Sequence, residues 1–144
     1  MVKVATKNLL NSSEYSNKTS KKKLIEKEAF HEFCKYQKEK LILKINGFVY
    51  FIDQCDIIFI EKKDRKSIIH TQKKNYELYS TLESFKGKLC NNFFQSHQSF
   101  IVNIKYIETI SPTGATYHIQ FKDYKEQAFI TRQKLNALYK IFDT

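Results

Sequence analysis

Asn46-Gly47, set between the β-prone runs 41–45 and 48–52, constrains the fold more than any other pair of residues in the chain. A two-residue hairpin turn needs positive φ at both central positions, which Asn and Gly adopt most readily, so the strand must reverse there. Short runs of the same kind continue for most of the remaining sequence. Residues 57–60 (Ile-Ile-Phe-Ile) form a wholly apolar strand, expected in the middle of a core and ending at Glu61. Residues 67–71 and 76–80 make a second hairpin across 72–75, with His70 as a half-buried strand histidine holding a hydrogen bond. Thr81 is placed to cap a helix through Leu82, Phe85 and Leu89, with Gly87 as its weak point. Residues 106–111 and 116–121 pair across Pro112-Thr113-Gly114, and 126–130 returns after the turn at 122–124. Thr131 then caps a last helix with Leu135, Leu138, Tyr139 and Phe142 on one face. Short antiparallel strands at regular spacing predict a mainly β fold, a sandwich or meander with small helices.

The residues ahead of this β region differ in kind. Residues 1–20 are rich in Asn, Ser, Thr and Lys and are expected to form a flexible tail. Residues 21–40 carry Ile25, Ala29 and Phe33 at intervals of four and predict an amphipathic helix docking on the domain or on a second copy. His31 and Cys34 on it are too few for a metal site. A chain of 144 residues therefore has room for one domain, 41–144, and an appendage. Lys+Arg of 25 against Asp+Glu of 15 gives a formal net charge of +10, which favours a polyanionic partner. No run is apolar enough to span a bilayer and no signal peptide is evident, so no direct membrane insertion and a cytoplasmic location are expected. Cys34, Cys55 and Cys90 are odd in number and far apart, predicting buried free thiols rather than disulfides or a metal site. With three Gly and one Pro, neither a Gly-rich phosphate loop nor a Pro-rich linker is present, and no cofactor is implied.

The most distinctive stretch is Phe93-Phe94-Gln95-Ser96-His97-Gln98-Ser99-Phe100-Ile101-Val102-Asn103. Five hydrogen-bonding side chains stand between large apolar anchors. A core strand would have to find a partner for each, whereas a loop pinned at both ends would display them as a reading head. Gln suits bidentate recognition of adenine, and His and Ser suit phosphate or base contacts. The block Phe93-Phe94-x-x-His97-x-Ser99-Phe100-Ile101-Val102-Asn103, preceded by strands at 57–61, 68–71 and 79–83, resembles the LytTR DNA-binding domain of bacterial transcription regulators. The resemblance covers about residues 41–142.

It implies short antiparallel sheets stacked as an elongated β-sandwich, binding double-stranded DNA through loops that enter successive major grooves of a bent duplex. By position, His97, Gln98 and Arg132 match base- or phosphate-contacting residues, and the turn at 62–67 matches another groove-entering loop. The candidate DNA-binding set is Lys62, Lys63, Arg65, Lys66, Ser67, Gln95, His97, Gln98, Ser99, Asn103, Arg132 and Lys134. Arg132, at the first helical position, opposes the helix dipole, which a nearby anion would explain. Two departures stand out: family members usually carry Arg at the place of Gln95, and often Arg or Asn at that of Gln98. The resemblance further implies a homodimer on repeated half-sites. Most members carry a receiver domain, for which residues 1–40 are too short, so a stand-alone regulator is expected, controlled by amount or by a regulatory partner protein, with the N-terminal helix as an alternative dimerisation element. No catalytic residues and no metal are expected. The rival readings are an RNA-binding or protein-interaction module, and a nuclease built on His70, His97 and Glu61 or Glu108.

Overall fold

The computed structural model describes residues 39–143. The tail expected over 1–20, the helix expected over 21–40 up to residue 38, and the His31/Cys34 pair lie outside them. Lys40, expected to close that helix, instead opens β1 (Lys40–Ile45), which pairs with β2 (Phe48–Asp53) in a two-stranded sheet. Asn46 (φ 51°) and Gly47 (φ 82°) supply the two positive φ angles the reversal needs.

Five strands make the central sheet: β3 (Ile57–Lys63), β4 (Lys66–Thr71), β5 (Asn75–Tyr79), β6 (Phe93–His97) and β7 (Phe100–Asn103). Their spatial order is β5-β4-β3-β7-β6, antiparallel throughout. Residues Ile57 to Ile60 are all buried in β3, the middle strand, as a wholly apolar run requires. A second sheet, ordered β10-β9-β8, is built from β8 (Ile107–Thr113), β9 (Thr116–Phe121) and β10 (Tyr124–Ile130). Helix α1 (Arg132–Phe142) follows directly.

The two faces of the central sheet belong to two cores. On one, Phe59, Phe100 and Val102 pack with Ile119, Phe121, Ala128 and Ile130 of the three-stranded sheet and with Leu135 and Leu138 of α1. On the other, Ile57, Ile60, Ile69 and Ile101 pack with Leu41, Leu43 and Ile52 of the β1–β2 hairpin and with Leu82 and Phe85. The arrangement is the mainly β stack of antiparallel sheets that the pattern of short runs predicts.

Three local expectations are corrected. Residues 82–89 do not form a helix: Thr81 does cap, accepting from the Ser84 amide, but only the 3-10 turn Leu82–Phe85 results. Buried Gln54 claims the segment that follows, donating to the Lys88 carbonyl at 2.8 Å and accepting from the Cys90 amide at 2.7 Å. Those backbone groups therefore need no helix to be satisfied. Pro112 lies within β8, opposite Tyr117, rather than in the turn; β8 is an edge strand, where a missing N–H costs no ladder bond. Of the cysteines, Cys55 is exposed and Cys90 half-buried, both free, rather than buried as expected.

Candidate nucleic-acid interface

Strand β3 does not stop at Glu61 but runs on through Lys63, and β4 resumes at Lys66. Only Asp64 and Arg65 make the turn, with Asp64 at φ 58°. Lys62, Lys63 and Arg65 are exposed and Lys66 is partly so. The acid at Glu61 points away from this group, into the protein: its Oε1 lies 2.9 Å from Nε2 of His70.

The polar tip expected over residues 95–99 is shorter than its composition suggests. Residues 95–97 are strand, and only Gln98 and Ser99 form the turn to β7. A bulge between Gln95 and His97 breaks the alternation of side chains, as bulges beside functional sites commonly do. Ser96 is thereby turned fully inward, donating its hydroxyl to the Phe129 carbonyl at 2.8 Å. Its own carbonyl accepts from the Thr131 amide at 3.1 Å. Gln95, paired with Ile101, lines a cleft with Lys86, Leu89, Cys90 and Phe93 on the face of the β1–β2 core. His97, paired with Phe100, rests against Phe100 and Phe129 at ring-centroid distances of 5.8 and 6.3 Å. The bulge thus turns the Gln95 and His97 side chains to different faces, while Gln95 Nε2 donates to the His97 carbonyl at 3.3 Å.

The Ser99 amide donates to His97 Nδ1 at 3.1 Å. With Nδ1 accepting, a neutral ring carries its proton on Nε2, which becomes a donor of fixed direction. Gln98 stands exposed at the turn.

At the start of α1 the Thr131 hydroxyl accepts from the Lys134 amide at 3.1 Å, the cap its sequence position predicts. Arg132 and Lys134 are exposed in this first turn. Two backbone hydrogen bonds join the three connections: Lys62 N to Ser99 O at 2.8 Å, and Thr131 N to Ser96 O at 3.1 Å. The β3–β4 turn, the β6–β7 turn and the α1 N-terminus are therefore neighbours along one rim, its cations at the first and the last and its polar turn between them.

Besides Gln95, two candidates lie off this rim. Ser67 is buried and donates to the Ser80 carbonyl at 3.0 Å. Asn103 is buried too, donating to the Ile57 carbonyl at 2.9 Å and accepting from the Lys105 amide at 3.1 Å. Both are corrected from duplex contacts to internal fasteners. Asn103→Ala would strand a buried carbonyl and is expected to cost about 1–3 kcal/mol in urea unfolding, with duplex binding by the folded fraction unchanged. Ser96 and Phe129 position the site and were not among the candidates. The sequence places Ser96 in the displayed polar stretch and does not mark Phe129, because the hydrogen bond that couples them joins residues 33 apart.

His70 is buried rather than half-buried, its ring stacked on Phe59 at 4.1 Å. Its Nδ1 lies 2.7 Å from the Tyr124 hydroxyl and 3.8 Å from Glu126 Oε2. Among the described residues Glu61, His70 and Glu126 bring three potential metal-ligating atoms within 4.8 Å, but both ring nitrogens are engaged in a hydrogen-bond chain between the two sheets. Burial first, then the Glu126 and Glu61 carboxylates, hold the Tyr124 hydroxyl above its ordinary 10.0. A raised acid keeps its proton longer in the folded state, so the stability it contributes is whole below pH 10.0 and is lost as pH climbs through the raised value. Urea unfolding at stepped alkaline pH should show that decline, and Tyr124→Phe should flatten it, leaving the part due to Tyr106, which burial and then Asp56 and Cys55 also raise.

A stacked β module that sets exposed cations of one hairpin turn and of a helix start on either side of a polar turn has the features of a nucleic-acid-binding class. The family model described as LytTr DNA-binding domain matches residues 47–143, and the chain belongs to that family. It is 33% identical over 114 residues to the transcriptional regulatory protein NatR of Bacillus subtilis, across 72% of this chain and 49% of NatR. To the sensory transduction protein LytT of the same organism it is 33% identical over 86 residues, 58% of this chain and 36% of LytT. The chain thus spans about half or less of the length of these relatives. A solved LytTr DNA-binding domain from Bacillus cereus superposes with a TM-score of 0.63 at 23% identity, covering 74% of this chain and 99% of that one, and so shares the fold. Families of DNA-binding regulator domains are usually non-enzymatic. Among the described residues, no helix is long and apolar enough to cross a membrane.

Proposed function

We propose that this chain is a sequence-specific double-stranded DNA-binding transcription regulator of the cytoplasm that reads its target through the basic rim. The observation that carries the reading is the joining of two cation-bearing connections to the His97-Gln98-Ser99 turn between them by the Lys62–Ser99 and Thr131–Ser96 hydrogen bonds, since scattered cations would not follow a groove. Family membership and the names of the relatives, a transcriptional regulatory protein and a sensory transduction protein, support it.

Roles follow from chemistry. The Nε2–H of His97 donates to a purine N7, a thymine O4 or a phosphate, and Gln98 pairs with an adenine edge. Lys62, Lys63, Arg65, Lys66 and Lys134 neutralise phosphates, and Ser99 adds a hydroxyl contact. Arg132 contacts a base or phosphate, and that anion offsets the cost of a cation at the positive end of α1. Residues 41–144 are the DNA-binding part. Two copies bind repeated half-sites, and a partner protein supplies regulation. The domain carries no catalytic step: His70 is buried against Glu61, while His97 is held by the Ser99 amide, Phe100 and Phe129, so the two histidines have separate surroundings.

Selection of bound duplexes from a random pool tests the reading. It should enrich one motif, repeated at fixed spacing. Equal capture of all duplexes would remove sequence specificity, and displacement of duplex by single strands would favour the RNA-binding alternative.

A further inference from the structure

One aromatic side chain beside the rim stands largely outside the core. Tyr79, at the end of β5, is 77% exposed. It pairs with Lys66 across β4, and Lys66 pairs with Lys63 across β3. The three side chains therefore stand in one cross-strand row at the turn end of the central sheet, on the same face. Two strand spacings set the row at about 10 Å.

The row is held in place. Ser67, buried one residue inward from Lys66, ties the Ser80 carbonyl to β4 and so pins the end of β5. The Lys66 ammonium lies 5.2 Å from the centre of the Tyr79 ring and 3.7 Å from Glu77. Lys63, Arg65, Lys66 and Tyr79 line a groove of ≈ 470 Å³ floored by Ile68. Asp64 and Glu77 also line it; Glu77 is matched by Lys66, and the balance remains positive.

We propose that this row is a seat for one strand of the DNA backbone, with Tyr79 as a positioning contact flanking the groove that the Asp64-Arg65 turn enters. The inference rests on the duplex-binding reading and extends it to a residue outside the candidate set. A row of about 10 Å reaches two to three consecutive phosphates of one strand, which rise about 3.4 Å apiece along the axis and stand farther apart along the backbone. Lys63 and Lys66 neutralise phosphates, the phenol O–H donates to the next, and the ring face lies against a deoxyribose. Because these partners are the same at every base pair, the seat contributes affinity without sequence preference.

The test measures binding of the full chain to a pool-selected duplex and to a mixed-sequence duplex over a range of salt. Tyr79→Ala should weaken both by the same factor, about tenfold for a lost charge-assisted hydrogen bond. Tyr79→Phe should lose most of that, and neither should change the salt slope. Lys66→Gln should reduce the slope by about 0.9. Tyr79 is exposed, so thermal unfolding of its variants should match wild type. Wild-type binding of both duplexes with undiminished binding by Tyr79→Ala would overturn the seat alone. A wild-type chain that binds neither duplex would overturn the seat together with the duplex-binding reading. A loss confined to the selected duplex would make Tyr79 a base reader and also reject the proposal.

Discussion

Phe59→Ala should destabilise the β domain by about 3–5 kcal/mol in urea or thermal unfolding. Phe59 is almost wholly buried in the middle strand of the central sheet, and its ring joins that sheet to its neighbour. It stacks on His70 at 4.1 Å and on Phe121 of β9 at 5.0 Å, the latter nearly parallel at 9°. Phe100 and Tyr124 meet it at 6.0 and 6.1 Å. Truncation would remove apolar contact with both sheets at once and leave a cavity that stiff strands close poorly. Phe59→Leu, which keeps apolar volume but loses the stack, should fall between the two. A loss under about 1 kcal/mol for Phe59→Ala would mean that the sheets do not share this core.

The second large effect is on recognition. His97→Ala should weaken binding to a selected duplex by about 1–3 kcal/mol, and Arg132→Ala by a similar amount, each relaxing preference at one base position. The His97 ring is fixed by Phe100, Phe129 and the Ser99 amide, so its donor is aimed before DNA arrives and little ordering cost opposes the contact. Electrophoretic mobility shifts on selected and mixed-sequence duplex distinguish the outcomes. Equal losses on both would make these residues phosphate grips.

What could be read from the residues alone is what is decided locally. Asn46-Gly47 dictates its own turn, Thr131 its own cap, and the apolar run at 57–60 its own burial. The succession of strands along the chain and the cations of the β3–β4 turn and the α1 start follow from such local signals. Where long-range partners decide, the residues mislead. Thr81 to Leu89 has helical composition, but Gln54 satisfies the backbone beyond Phe85. Gln95 to Ser99 reads as one polar tip, yet the bulge sends Ser96 inward to Phe129 and leaves Gln95 and His97 on different faces. Ser67 and Asn103 are polar and stand in suggestive places, but their partners are 13 and 46 residues away. A polar side chain whose hydrogen bonds are met inside the fold looks, in sequence, the same as one awaiting a ligand. Tyr79 carries the opposite lesson: its exposure and its row with Lys63 and Lys66 exist only once the strand register is fixed.

Amide and side-chain NMR shifts of the full chain, followed as duplex DNA is added, test most directly whether the three connections act as one surface. Changes should concentrate at residues 62–66, 97–99 and 131–134, with Tyr79 beside them, and should leave the β1–β2 hairpin unmoved. Changes centred on that hairpin, or on one connection with the other two silent, would contradict a single DNA-reading rim.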